Sequence, residues 1–287
     1  MELIYKKVKT YADLVMFEHT IFALPFAYLS LFLALGGKID LSYFFWVTVA
    51  MIGARNGANA WNRLADMDID KKNPRTADRH LPRGEVSPRE VVFLTVFCFT
   101  LLILAAFNLH PICLKLLPLA VIIVIFYSYT KRFTWACHLF LGFSVALAPL
   151  GAWLAVRGGL APGVIILAMV QALWVAGFDI IYATQDYQFD TTEGVYSIPA
   201  RFGVSGGLKI ARLLHFLAFL LLVILPCFFP LGLIYYLGLV IIGGLLIYQH
   251  RLVSPDDLSR VNKASYNVNE IIGPVLLLAS VLDILLF

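Results

Sequence analysis

An all-α membrane protein with nine transmembrane helices is the fold this sequence predicts, and three observations carry that expectation. Of its 287 residues, 61% are hydrophobic and only 14% charged, and the mean hydropathy is +0.85, which leaves too little polar surface for a soluble globule. The apolar residues gather in runs of about 20, the length that carries a helix across about 30 Å of hydrocarbon. Those runs lack the alternation of a membrane barrel.

The runs fall at residues 14–35, 41–61, 91–109, 112–129, 136–156, 164–182, 208–227, 231–248 and 268–286. The first follows Lys6, Lys7 and Lys9 as a secretory leader would. It is too long for one, carries Glu18 and His19 and shows no small-residue cleavage site, so it reads as a retained span. After the second run comes the longest connection, 63–89, whose seven basic residues include Arg75, Arg79 and Arg83 at four-residue spacing, interrupted by Pro74 and Pro82. It reads as a short surface helix or an ordered cap over neighbouring acidic groups, against the plainer reading of positive charge that only marks a cytoplasmic loop. Run four ends in Tyr127-Ser-Tyr-Thr-Lys131-Arg132, and Asn267, Asn269 and Glu270 read as the capped start of run nine.

Nine crossings put the termini on opposite sides of a cell membrane. Eighteen of the 22 Lys and Arg lie in the N-terminal tail and around the connections after runs two, four, six and eight; Lys38, Lys115 and Arg157 lie on the other side and Arg55 lies within a span. By the excess of Lys and Arg on cytoplasmic loops, the N-terminus is cytoplasmic and the C-terminus is not. Sorted this way, the net charge of +4 describes topology rather than nucleic-acid binding. Cys98, Cys113, Cys137 and Cys227 lie in or beside apolar runs without a C-x-x-C pair and read as buried thiols, a bridge between Cys113 and Cys227 being the weaker reading.

Two acidic segments end runs two and six: Asn62-Arg-Leu-Ala-Asp66-Met-Asp-Ile-Asp70 and Asp179-Ile-Ile-Tyr182-Ala-Thr-Gln-Asp186-Tyr-Gln-Phe-Asp190. Four-residue steps put Asn62, Asp66 and Asp70 on one helix face about 12 Å long, and Tyr182, Asp186 and Asp190 likewise. The second ladder repeats the first at an offset of 120 residues. An even number of crossings separates them, so both face the cytoplasm, and the single domain 1–287 divides weakly into tandem halves, about 12–132 and 133–250, plus a ninth helix at about 265–287.

Either ladder alone reads equally well as a solvated helix end; two at matched depth ask for a cation. Hard oxygen ligands in this number suit Mg²⁺, which shares its shell with phosphate oxygens. Asp68 falls two residues off the ladder and reads as facing solvent or Lys72. An Arg inside a span is costly, and Arg55 lies seven residues before Asn62, within about 20° of its face. It reads as an anion clamp for a substrate carboxylate, against snorkelling to the interface. Tyr127 and Lys131 share a face at the same level, where Lys131 or Arg132 could touch a phosphate or serve as interface anchors. Carboxylates, Mg²⁺ and basic side chains together bind and activate a leaving diphosphate. Glu18 and His19 could line the same pocket, or satisfy each other or another span.

At these motifs the chain resembles the UbiA superfamily of intramembrane prenyltransferases, whose signatures N-x-x-x-D-x-x-x-D and D-x-x-Y-x-x-x-D-x-x-x-D are both present in full. The resemblance extends to Phe17–Phe26, the stretch 73–84 and the stretch 127–132. It implies a helical bundle whose cavity opens sideways to lipid and an alkyl-transferring enzyme whose catalytic residues are Asp66, Asp70, Asp179, Asp186 and Asp190. By the same resemblance Asn62, Asp66, Asp70, Asp186 and Asp190 hold isoprenyl diphosphate through Mg²⁺, Asn62, Arg75, Arg79, Lys131 and Tyr182 bind the diphosphate, and Arg55 and Tyr127 bind an aromatic acid. Many members that use 4-hydroxybenzoate carry Asp directly after the motif Asn, where this chain has Arg63. That departure resembles the branch associated with futalosine-route menaquinone synthesis, whose acceptor is a dihydroxynaphthoate.

The expected function is thus Mg²⁺-dependent transfer of a polyprenyl group from an isoprenyl diphosphate to a ring carbon of an aromatic acid in quinone biosynthesis. The bilayer is a partner and no obligate protein partner is inferred. Another acceptor within the superfamily, an ion-coupled transporter built from tandem halves and a non-catalytic lipid-binding scaffold are the competing readings.

Overall fold

The structure, a computed structural model, describes residues 2–16 and 23–287, so Glu18 and His19 lie outside the described residues. Among the described residues twelve α-helices follow in order: α1 (Glu2–Leu14), α2 (Leu24–Ala34), α3 (Leu41–Ala65), α4 (Met67–Lys72), α5 (Pro88–Phe107), α6 (Pro111–Thr130), α7 (Cys137–Arg157), α8 (Pro162–Ala183), α9 (Tyr187–Glu193), α10 (Ile198–Ile224), α11 (Leu233–Arg251) and α12 (Asn269–Leu286). The starts are written locally: proline stands in the first turn of α2, α5, α6, α8 and α10, where its missing N–H costs nothing. Asp40 caps α3 through the amides of Ser42 and Tyr43, and Ser87 and Glu90 form a reciprocal capping box on α5.

Seven segments among the described residues are long and apolar enough to cross a bilayer: α5, α6, α7, α11, the run Pro162–Glu193, the run Ile198–Cys227 and Lys263–Leu286. That is fewer than the nine expected, for two physical reasons. The expected first span is not one helix, since α1 stops at Leu14, Met16 takes φ 51° and α2 has only 11 residues. The second, α3, has 25 residues, about 37 Å of helix, yet Arg55, Asn56, Asn59 and Asn62 depress its hydropathy. The membrane assignment also rests on large apolar side chains left exposed around the bundle, among them Phe93, Phe97, Phe107, Phe216 and Val240.

The bundle packs α3 on α5, α7 on α8, α8 on α10, α2 on α7 and α11 on α12. Backbones approach closely where a side chain is missing: a Cβ on Gly142 of α7 would stand 2.1 Å from the Ala172 carbonyl oxygen of α8. The main core gathers Leu29, Leu167, Ile180 and Tyr235 around Trp174, which stacks on Phe26 at 5.3 Å. Far along the chain, buried Asp283 of α12 accepts hydrogen bonds from the amides of Gly232, Ile234 and Tyr235, so a carboxylate on a neighbouring helix caps the start of α11.

The ladders do not lie on continuous α-helices as the four-residue spacing predicts. The first breaks at Asp66 (φ −94°, ψ 2°) before α4, and the second passes through a 3₁₀ turn, Thr184–Asp186, and breaks at Asp186 (φ −94°, ψ 3°) before α9. The break falls on the equivalent central aspartate of each ladder, with nearly the same backbone angles.

Other expectations are corrected. All four cysteines are free thiols, but Cys227 is exposed and Cys113 half-buried, because the 3₁₀ turn after α10 and the start of α6 lie at bundle ends. Asn269 does not cap α12. Its side chain accepts from the Trp174 indole and donates to the carbonyls of Ala264 and Ser265, closing a π-helical turn over Lys263–Asn267. The connection 73–87 is a chain of turns, not a helix.

Candidate active site

Two adjoining cavities share walls from α3, α6 and α7, with α8 added at the polar one and α5 at the apolar one. A polar one of about 260 Å³ is lined by both ladders, and an apolar one of about 340 Å³ by small and aliphatic side chains of α3, α6 and α7, such as Ala54, Ala120, Ala148 and Gly151. Arg55, Asn59, Tyr127, Leu141 and Val145 line both, so the cavities meet at a seam that carries one guanidinium and one phenol.

The polar cavity is lined by Arg55, Asn62, Asp66, Asp70, Arg75, Arg79, Tyr127, Lys131, Asp179, Tyr182, Asp186 and Asp190, whereas Arg132, the alternative to Lys131, does not line it. Asp68 is exposed, and Lys72 pairs with Glu193 at 2.9 Å.

The carboxylates are not bare. Asp66, 2% exposed, pairs with Lys131 at 2.6 Å and Arg132 at 3.4 Å. Arg132 also donates to the Ala65 carbonyl. Asp70 pairs with Arg79 at 2.6 Å. Asp186 receives a bidentate pair from Arg75, Nε to Oδ1 at 2.8 Å and Nη2 to Oδ2 at 2.5 Å, with a further bond from the Asn73 amide at 2.7 Å. Asp190 accepts from the Ser197 hydroxyl at 2.7 Å. Burial opposes the charge on Arg75, but its bond to Asp186 and the neighbouring Tyr182 outweigh this and raise its pKa above the ordinary value. The connection 73–87 therefore caps the acidic faces: Arg75 and Arg79 reach the ladders, whereas Arg83 turns aside to Glu85 at 3.2 Å.

Tyr182 accepts from Arg75 at 2.6 Å and lies under its guanidinium at 4.8 Å, and its ring meets Tyr266 edge-on at 5.0 Å. Tyr266 comes from the π-helical turn, a distortion that often accompanies functional sites. Arg55 stands at the seam with a buried Nε that makes no hydrogen bond.

Asn59, Asn73, His138, Ser197 and Tyr266 also line this cavity and escape sequence reasoning. Arg63 donates to the Leu14 carbonyl and, with Asn59 on the Val15 carbonyl, ties the end of α1 to α3. It also forms part of the cavity wall. His138 carried a usable signal as a histidine inside an apolar span. The others are local caps or surface polar groups until the fold brings them in.

No group of three or more His, Cys, Asp or Glu among the described residues stands ready to hold a metal ion. The donor set is nonetheless hard: carboxylates with the amides of Asn62 and Asn73. This fits Mg²⁺, which takes one or two protein carboxylates and fills its shell with water and substrate phosphate.

Residues 23–271 match the UbiA prenyltransferase family. A 4-hydroxybenzoate octaprenyltransferase of Vibrio cholerae is 31% identical over 224 residues, 78% of either chain, and the same enzyme of Vibrio vulnificus is 28% identical over 276 residues, covering 95% of this chain and 96% of that one. Among solved structures, the apo form of a UbiA homologue from Aeropyrum pernix superposes with a TM-score of 0.84 at 32% identity, covering 93% of this chain and 98% of that one. A UbiA homologue from Archaeoglobus fulgidus bound to GPP and Mg²⁺ shares the fold at a TM-score of 0.66 and 20% identity, over 96% of this chain and 99% of the other. With the family matched over most of its length, the chain belongs to the UbiA prenyltransferase family and is a membrane-embedded polyprenyltransferase.

Proposed function

We propose that the protein transfers a polyprenyl group from an isoprenyl diphosphate to a ring carbon of an aromatic acid, of the 4-hydroxybenzoate or dihydroxynaphthoate type, in quinone biosynthesis. The observation that carries this reading is the seam: a cavity rich in Arg, Lys and Asp opens directly into an apolar one, and an Arg with an unused buried Nε stands between them. Such a pair of cavities accepts a diphosphate head, its hydrocarbon tail and a carboxylate-bearing ring. The 4-hydroxybenzoate relatives and the GPP- and Mg²⁺-bound homologue support the same assignment.

In this reading Arg75, Arg79 and Lys131 exchange their carboxylate partners for diphosphate oxygens. Asn62, Asp66, Asp70, Asp186 and Asp190 hold the Mg²⁺. The cation supplies charge neutralisation for the leaving diphosphate. The side chains around the seam exclude water from the allylic cation as the carbon–oxygen bond opens, Tyr127 lies against the ring, and Arg55 fixes the acceptor by its carboxylate. Asp179 and Tyr182 hold the wall of the site, Asp179 through His138 and Tyr182 through Arg75. For the chain as a whole we infer nine crossings, counting α3 and the segment that contains α2, with a cytoplasmic N-terminus, the site facing the cytoplasm and the tandem halves meeting at the cavity. The matched breaks at Asp66 and Asp186 support that pairing.

Mass spectrometry of products formed by the purified protein with Mg²⁺, isoprenyl diphosphates of graded length and a panel of aromatic acids tests the proposal. Ring-prenylated acid is the expected product. Uptake of a solute into proteoliposomes without any covalent product would replace the reading with transport, and binding of prenyl diphosphate without turnover would replace it with a scaffold.

A further inference from the structure

Aromatic substitution needs a base. Once the ring carbon has used a π pair to bond the prenyl carbon, and the carbon–oxygen pair has left with diphosphate, the ring must lose the proton at that carbon to recover its aromaticity. The acids of the polar cavity are otherwise engaged: Asp66, Asp70, Asp186 and Asp190 are the carboxylates assigned to the cation above, and Asp190 also accepts from the Ser197 hydroxyl.

His138 is differently placed. It lies on α7, is 4% exposed and lines the polar cavity. Its Nδ1 meets Asp179 Oδ2 at 2.7 Å, while its Nε2 is buried without a hydrogen-bond partner. A carboxylate can only accept, so Nδ1 carries the hydrogen and, in the neutral ring, Nε2 holds the lone pair. The next residues on this face of α7, Leu141 and Val145, line both cavities, and Ala148 lines the apolar one alone. His138 therefore stands one helical turn from the seam, on its polar side, where the reacting ring must lie if Arg55 holds the acceptor.

We propose that His138 is the general base of the transfer and Asp179 its positioning residue, an inference that rests on the aromatic prenyl transfer proposed above. Nε2 takes the proton from the substituted ring carbon, and the carbon–hydrogen pair returns to the ring. Asp179 holds the imidazole in the competent tautomer and stabilises the imidazolium, which later gives its proton to solvent in the polar cavity.

The test compares wild type with His138→Gln, using ordinary and ring-deuterated forms of an acid that the wild type prenylates. His138→Gln can still donate to Asp179 but cannot take a proton. It should slow product formation about 100-fold or more, leave geranyl diphosphate binding near the wild-type value, and show a primary deuterium isotope effect that wild type lacks, because proton removal has become the slow step. In His138→Ala, added imidazole should restore part of the rate. A near-normal rate in His138→Gln overturns the role, as does a slow variant with weakened geranyl diphosphate binding, no isotope effect and no imidazole rescue in His138→Ala; either result leaves the transfer reading standing. Wild type that prenylates no aromatic acid overturns the transfer reading itself, and this role with it.

Discussion

The two acidic ladders share spacing and backbone but not company. Each breaks at its central aspartate with φ −94° and ψ near zero. In the first, both carboxylates are held by cationic side chains, Asp66 by Lys131 and Arg132 and Asp70 by Arg79. In the second, only Asp186 has an Arg; Asp190 leans on a neutral hydroxyl and Asp179 on an imidazole. Equivalent positions thus start from different electrostatic states. A cation arriving at the first ladder must displace ammonium or guanidinium groups, whereas at Asp190 it displaces one hydroxyl.

Removing divalent cations by chelation tests what the ladders have in common and should have the largest effect, abolishing product formation until Mg²⁺ is restored. Activity that survives chelation would leave the paired carboxylates a purely structural role. Asp66→Ala and Asp186→Ala should each lower kcat about 100-fold or more, the scale of lost charge stabilisation in the transition state. Asp66→Ala should also cost about 3 kcal/mol or more in stability, since it leaves Lys131 and Arg132 partly buried without their shared carboxylate. A thermal melt in detergent separates that loss from the catalytic one, and near-normal transfer by either variant would break the equivalence of the ladders. Arg55→Ala should raise the KM for the aromatic acid about 10-fold or more, the scale of a charge-assisted hydrogen bond, while geranyl diphosphate binding holds. A loss confined to diphosphate binding would move Arg55 to the other substrate. The smallest effect belongs to Ser197→Ala: removing one bond from an uncharged hydroxyl to the Asp190 carboxylate should lower kcat about 10-fold, about 1.5 kcal/mol. A change as large as that of Asp186→Ala would show that the hydroxyl supports the second ladder as firmly as Arg75 does.

What could be read from sequence follows the range of the physics involved. Ladder spacing, Arg55 behind Asn62, and Arg75 and Arg79 in a basic connection are short-range patterns, and all of these residues line one cavity. The breaks at Asp66 and Asp186 were invisible because four-residue spacing describes a continuous helix and carries no mark of its interruption. Asn73 and Tyr266 become cavity residues only through contacts across the bundle, to Asp186 and Tyr182. Nine apolar runs in the sequence and seven long apolar segments among the described residues differ where function and hydropathy conflict. Helix α3 carries the very residues that build the cavity, Arg55, Asn59 and Asn62, and so does not look like a membrane helix by composition. Asn269 misled for the opposite reason: a local capping pattern is overridden by a long-range bond to Trp174.

The lining of the polar cavity also sets a condition on how substrate enters. Arg55, Arg63, Arg75, Arg79 and Lys131 contribute five formal positive charges, and Asp66, Asp70, Asp179, Asp186 and Asp190 contribute five negative ones, so these ten groups sum to zero. A neutral wall in a membrane has no surplus charge with which to draw in a multiply charged anion against its loss of hydration. The diphosphate is therefore expected to load together with its own counter-cations, as an electroneutral salt, so its apparent affinity should rise with Mg²⁺ concentration rather than stand as a fixed property of the protein.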